Sequence, residues 1–465
     1  MSLSKEILEG TVEGVERLLQ QGAPVNIMDE YGFTPLIHAT ATNRLDLVAL
    51  LLKHNASPDL VDFTGSNALH WAVDNDNIEI AKLLLKYGAN ANAYTGSGQP
   101  ALFYPLLRKD QELVKLLVSH GAKMDFAKDF VNAKLIGHRF ELQGRSDVVT
   151  AEGLFISIDL EGFYLEFTLA LIRESLERFI NSYIAHRMDI HSDELKTIIK
   201  SFENASRLRE FKHFSKNVEQ NKETIYQFMK MDLLLLPVSY KGHAINFIKH
   251  GKFLAKCDRG VQKMTDPIVI NTINSPIRLN QEFYMKLLYE KHTEKYIKYD
   301  VVKFLGLDPF AKLPIKHQIT GNCSWANTES SVPTMLYMLL YDKMKDKSKV
   351  DALLSEIMYF YNTWLEWDKD RALEDWLLDF ETISFQRQKS KASLIGAVLF
   401  QACNPNKTAD VNRAKRILKI LIRKEFQYIV RSYANIFVRG HRTAEGQKFQ
   451  RIIEICGYKL SQFSN

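Results

Sequence analysis

Four segments of one design, RLLQQGA, LLLKHNA, LLLKYGA and KLLVSHGA, end at Ala23, Ala56, Ala89 and Ala122, so each closes 33 residues after the last. Upstream of them TPLIHA (34–39), NALHWA (67–72) and PALFYP (100–105) keep the same step. A fixed period of this length constrains the chain more than its composition does. One such unit cannot bury its own apolar face, so the copies must stack on one another. Leucine pairs such as Leu51/Leu52 and Leu84/Leu85 close an outer helix, and Gly22, Gly88 and Gly121 sit where the chain must turn left-handed just after it. Asn55 stands at the fourth such place, and asparagine is the next best tolerated there. Thr34 and Pro35 start an inner helix, with the proline where its missing N–H costs nothing.

The helix-turn-helix unit with its T-P-L-H-x-A signature resembles the ankyrin repeat. Its first copy, about 3–28, lacks that signature and its fourth ends in Pro105, as end repeats do. The resemblance implies a protein-binding stack that uses hairpin tips and the exposed side of the inner helices. The tips are Asp29 to Phe33 and Asp62 to Gly65, and the variable inner-helix positions are His38, Trp71 and Tyr104. Tyr31, Phe33, Phe63, Trp71 and Tyr104 are therefore the candidate binding residues. The alternative for Phe33 and Trp71 is packing between neighbouring repeats; His38 and His70 read as structural.

The 465 residues carry a net charge of +6, yet residues 1–126 hold 10 Lys and Arg against 15 Asp and Glu, which leaves the remainder at +11. The acidic and basic parts are expected to meet different partners. No apolar run approaches the roughly 20 residues of a membrane-spanning helix, and the N-terminus is too polar for a secretory signal core. The four cysteines, Cys257, Cys323, Cys403 and Cys456, have no paired metal-ligand spacing and are too few for a disulfide framework. A soluble protein of a reducing compartment is expected, with no metal and no cofactor.

The period stops after Phe126. Residues 162–187 carry apolar side chains at helical spacing and read as one long helix. In 233–260, short apolar runs broken by YKGH and KHGK read as three consecutive strands, with His243 opening the second and Asp258 closing the third. DPIVINTI (266–273) is a further strand, and 281–306 is largely helical. From about 346 the pattern is helical to the end.

Residues 317–327, HQITGNCSWAN, place Cys323 beyond a glycine turn, with Gln318 five residues before it. A nucleophilic thiol needs a base or cation that favours the thiolate, a group that orients the base, and donors for the oxyanion. His243, Asp258 and Gln318, with the backbone N–H of Cys323 as second donor, supply these in turn. His250, His292 and His317 are rival bases, a buried inert Cys323 is the alternative, and Cys257 reads as a packed strand residue. The order His, Asp, Gln, Cys and the run Q-I-T-G-N-C are similar to the ubiquitin-like-protein proteases, the adenovirus protease and the bacterial acetyltransferase effectors. C-S-W is also similar to papain-like enzymes, but these place the histidine after the cysteine, where this chain has only His441 in a basic helical segment.

Residues 407–451 hold 12 Lys and Arg against 3 Asp and Glu. Leu418, Leu421, Phe426, Ile429, Tyr433 and Phe437 form an apolar stripe there, with Arg416, Lys419, Arg423, Lys424, Arg431 and Arg439 largely outside it and Gly440 as a stop. A solvated face over a packed stripe is one reading, and a surface for nucleic acid, an acidic protein or anionic lipid is the other.

The layout as a whole resembles the ankyrin-repeat effectors that Legionella and related intracellular bacteria deliver into host cells. That resemblance implies type IV delivery by an uncleaved C-terminal signal, without an N-terminal signal peptide, to the host cytoplasm or nucleus. The expected architecture is a multidomain α and α+β protein. It comprises an ankyrin solenoid (1–126), a linker and helical part (127–230), a papain-like or cysteine-protease-like α+β core (231–345) and a basic helical region (346–465). The expected function is peptide or isopeptide hydrolysis on a host protein captured by the repeats. The alternatives are acetyl transfer by the same thiol and a scaffold without catalysis.

Overall fold

The computed structural model describes residues 3–143, 148–150, 152–156, 165–188, 191–211, 218–240, 242–260, 266–318 and 322–463. It forms two compact units, one of residues 1–131 with 210–225, the other of residues 132–209 with 226–465. The described residues are mostly helical, with two small antiparallel sheets.

In the first unit the 33-residue period becomes four helix pairs: Leu3–Glu9 with Val12–Gln20, Pro35–Ala41 with Leu45–Lys53, Ala68–Asp74 with Ile78–Lys86, and Phe103–Arg108 with Gln111–Ser119. Leu47, Leu51, Ile80, Leu84, Leu113 and Leu117 share one continuous core, which is how stacked copies bury what a single copy cannot. Gly22, Gly88 and Gly121 have φ of 89°, 89° and 91°, and Asn55, at the equivalent position, has φ 64°. Thr34 caps its helix by accepting the Ile37 N–H at 3.2 Å, with Pro35 first in the helix. A ladder between repeats, not foreseen, has the same step. Side-chain oxygens of Asn26, Asp59 and Asn92 accept the N–H groups of Ser57, Asn90 and Lys123 at 2.8 to 2.9 Å.

In the second unit the expected helix over 162–187 is described from Leu165 and ends at Ile180; residues 162–164 lie outside the described ones. Ser182 then accepts the Ala185 N–H and starts the separate short helix Tyr183–His186. β1 (Val148–Val149) and β2 (Phe155–Ile156) make a two-stranded sheet. β3 (Leu234–Tyr240), β4 (His243–His250), β5 (Phe253–Cys257), β6 (Ile268–Ile273) and β7 (Leu307–Lys312) make a five-stranded antiparallel meander in that order.

Turns at Gly242 (φ 77°) and Gly251 (φ 52°) fold β3, β4 and β5 on one another as the glycines predict; Lys241 lies outside the described residues. The fifth strand was not expected, because LDPFAK holds Pro309 and two charges. It lies at the sheet edge, paired with β6 alone, where a proline interrupts no second ladder.

Helix Cys323–Glu329 packs on β4 and is followed at Ser330 by helix Ser331–Met344, which has Pro333 in its first turn. The C-terminal helices Leu354–Leu377, Phe385–Ala397, Thr408–Leu421, Gln427–Tyr433 and Ala444–Ile455 close around Leu418, Leu421, Phe426, Ile429 and Tyr433. That core also takes in Ile136 of helix Met124–Arg139 and Phe140 just after it. No helix among the described residues is long and apolar enough to cross a membrane.

Candidate active site

His243 is the first residue of β4, directly across the turn from Tyr240. Antiparallel pairing of Asn246 with Cys257 brings the residues just past β5 against the start of β4. This register makes the 15-residue spacing productive. The imidazole Nε2 of His243 lies 2.9 Å from Asp258 Oδ1. Gly260 donates its N–H to the same carboxylate oxygen at 3.3 Å, and Lys256 Nζ stands 3.8 Å from the other.

Cys323 opens its helix beneath β4, with Asn322 before it. Its sulfur accepts the Ala244 N–H at 3.3 Å and lies 3.9 Å from the Gly242 carbonyl oxygen, so it sits against the two residues that flank His243. Since Nε2 faces Asp258, the nitrogen that remains for sulfur is Nδ1. Trp325, two residues on, stacks on the buried His138 ring, with centroids 5.5 Å apart and planes 4° from parallel, while Asn322 Nδ2 donates to the His138 carbonyl at 3.3 Å. These contacts seat the cysteine helix.

The electrostatics follow from that geometry. Hydrogen bonding to Asp258, then to Cys323, outweighs burial and raises His243 to about 9. Burial pushes the Cys323 thiol up, but the bonds from His243, Ala244 N–H and Ser324 N–H pull it below the ordinary cysteine value. Asp258 is likewise raised by burial and lowered further by His243 and Lys256, for a net depression. The three groups favour a thiolate–imidazolium pair with an ionised orienting carboxylate.

Gln318 is held nearby through its backbone, whose N–H donates to the Arg259 carbonyl at 2.8 Å, one residue past Asp258. Its side chain is buried, and Oε1 has no hydrogen-bond partner among the described residues. Residues 319–321, between Gln318 and the cysteine, lie outside the described ones. The rival bases are elsewhere engaged. His250 ends β4, seven residues from His243 and 3.1 Å from Asp232; His292 stacks on Tyr296. His317 Nδ1 is bonded to the Gly260 carbonyl at 2.6 Å. Cys257 is buried, and burial lifts its thiol to about 11, which suits an inert packed residue.

Sequence reasoning missed three members of this neighbourhood. Tyr240 packs edge-on against the His243 ring, 5.3 Å between centroids, and Lys256 and the Ala244 N–H bear on the carboxylate and the sulfur. The turn alone carries the Tyr240 signal, because it dictates which residue faces His243.

The model for ankyrin repeats matches residues 3–95 and 56–128. The solved structure of the Legionella effector AnkH is 38% identical in sequence, with a TM-score of 0.83, and the match covers 99% of this chain and 98% of that one. This chain belongs to the AnkH family. No curated protein matches it.

On the ankyrin stack of this AnkH-family chain, Tyr31 and Phe63 are 64% and 77% exposed at the hairpin tips. Phe33 and Trp71 instead contact each other, edge to face at 5.5 Å, and the indole N–H donates to Asp62 Oδ2 at 3.0 Å. His38 is bonded to Asp29 at 2.7 Å, and His70 Nδ1 lies 2.7 Å from the helix-capping Asn67 side chain. Tyr104, expected on an exposed position, is only 8% exposed and packs edge-on against Phe103, so its ring is not presented to a partner.

In the basic region of the same AnkH-family chain, the apolar stripe faces the core and several cations are neutralised within the unit. Arg413, with 0% side-chain exposure, contacts Glu366, Asp370 and Asp410 at 2.6 to 2.8 Å. Arg416 lies 3.7 Å from Asp370 and 3.5 Å from Glu374, and Arg423 is paired with Glu381. Lys419 and Lys424 remain exposed.

Proposed function

We propose that this protein is a bacterial effector, delivered into host cells, that captures a host protein through its ankyrin stack and hydrolyses a peptide or isopeptide bond with a cysteine-protease-like site. The observation that carries the catalytic half is the imidazole of His243, bonded to Asp258 through Nε2 at 2.9 Å, with the Cys323 sulfur held to the next residue by the Ala244 N–H at 3.3 Å. The delivery half draws on the likeness to the Legionella effector AnkH. A type IV route and a cytoplasmic or nuclear destination belong to the same proposal.

In this reading the Cys323 thiolate attacks the carbonyl carbon, and the oxygen takes the negative charge beside the Gln318 amide and the cysteine's own N–H. His243 passes the Nδ1 proton to the departing amine, leaving a thioester on Cys323. The neutral imidazole then takes a proton from water, whose oxygen attacks the thioester; the carboxylic acid leaves and the thiolate returns. Asp258 holds the ring in the tautomer and orientation both steps need. Acetyl transfer would use the same atoms with an acyl-CoA donor, whereas hydrolysis needs none.

The test is the rate of Cys323 alkylation against pH, read by peptide mass spectrometry, in the native protein and in His243→Ala. A depressed thiol pKa that rises in the variant supports the reading. A profile like that of a free thiol would sink it and favour a scaffold, for which Tyr31 and Phe63 supply exposed rings whatever the thiol does. For the basic region the ion pairs of Arg413, Arg416 and Arg423 favour a structural role over a nucleic-acid, acidic-protein or lipid surface.

A further inference from the structure

Cys323 and Asn327 lie four residues apart and therefore share one face of the helix Cys323–Glu329, the face turned to the sheet. Asn327 is completely buried, and both ends of its amide are used. Nδ2 donates to the carbonyl of Ala244, the residue after His243, at 2.6 Å. Oδ1 accepts the N–H of Arg259, the residue after Asp258, at 2.6 Å. One partner is a fixed acceptor and the other a fixed donor, so the amide's orientation is unambiguous.

We propose that Asn327 is a positioning residue that fixes the separation of the Cys323 sulfur, the His243 ring and the Asp258 carboxylate. The inference rests on the thiol reading above and extends it to a residue that touches none of the reacting atoms. The three groups come from three separate stretches of chain, and Asn327 bonds the neighbours of two of them to the helix that carries the third. Aspartate at this position lacks the donor and would set an oxygen against the Ala244 carbonyl, and leucine would remove both bonds and leave those two backbone groups short of a partner.

The neighbouring bonds reinforce the same geometry. Ala244 turns both its carbonyl, to Asn327, and its N–H, to the Cys323 sulfur, toward the one helix. Asn246, two residues further along β4, donates to Thr328 Oγ1 and Ser331 Oγ at 3.1 and 3.3 Å. Loss of Asn327 would thus remove one bond from the start of β4 and one from the segment after β5, while Asn246 and the Arg259 guanidinium, 3.0 Å from Glu329, keep the sheet docked on the cysteine helix.

The experiment is the pH profile of Cys323 alkylation in Asn327→Asp and Asn327→Leu, alongside the native protein and His243→Ala, with melting followed for each. The expected result is a cooperative melt with the thiol pKa raised by about one unit, seen as about tenfold slower alkylation at pH values below the native thiol pKa. A folded variant that keeps the native profile overturns the proposal. Native protein with an ordinary thiol profile sinks the parent reading instead, whereas a native profile sensitive to His243→Ala but not to Asn327→Asp sinks this one alone. Should both variants fail to fold, exchange of the Arg259 amide in the native chain, labelled with 15N-arginine, decides: protection like that of strand amides supports the bond to Asn327, and exchange at an unbonded rate overturns it.

Discussion

His243 and Asp258 face each other at 2.9 Å across the open ends of two neighbouring strands, which commits Nε2 to the carboxylate and leaves Nδ1 for the sulfur of Cys323. Asp258→Asn removes the charge that favours the imidazolium and can present its amide N–H to the ring, which selects the wrong tautomer. The thiol pKa of Cys323 should rise by at least about one unit, slowing alkylation about tenfold or more at pH values below the native thiol pKa. Kinetic alkylation with intact-mass readout checks this.

Stability should report the same pair. The folded value of His243, about 9, lies above the roughly 6.5 of an unfolded histidine, so its contribution is complete below about pH 6.5 and is lost as pH rises through 9. Melting temperatures of the native protein and His243→Ala should therefore differ most near pH 6 and converge toward pH 10. A gap that widens with pH would contradict the ion pair.

At the ankyrin tips, the double variant Tyr31→Ala/Phe63→Ala should melt as the native protein does, within about 0.5 kcal/mol, because both rings are exposed. Capture of host protein in pull-downs should nevertheless fall. Trp71→Phe keeps the ring against Phe33 but deletes the bond to Asp62, and should cost about 1 kcal/mol in urea unfolding.

Arg413→Met should be the most damaging change in the basic region. It takes the buried cation from Asp410 and leaves Glu366 and Asp370 with only Lys369 and Arg416, at a cost of about 3 kcal/mol. Arg423→Ala breaks a pair with the exposed Glu381 and should cost under about 1 kcal/mol. Chemical denaturation of the two variants separates these outcomes.

What was legible in the sequence is what repeats or what a turn dictates. The period placed the four helix pairs and even the left-handed Asn55, because one local conformation recurs at one step. Gly242 and Gly251 set the register of β3 to β5, from which the meeting of His243 with Asp258 follows. What depends on a partner distant in the chain was not legible. β7 reads as loop until β6 lies beside it, Arg416 reads as a surface cation until the helix Leu354–Leu377 supplies its acids, and Tyr104 shares its repeat position with Trp71 but meets Phe103. Asn327 belongs to the same group: its two bonds join segments 83 and 68 residues away.

The compact body that contains the repeats also includes, among the described residues, 210–211 and 218–225, a piece encoded well after the last repeat ends. A fragment cut at residue 131 would lack that piece, and the complementary fragment would carry it without its surroundings. Dissection at the obvious border would thus yield two damaged halves, and loss of binding or reactivity in either would say nothing about where those properties reside in the intact molecule.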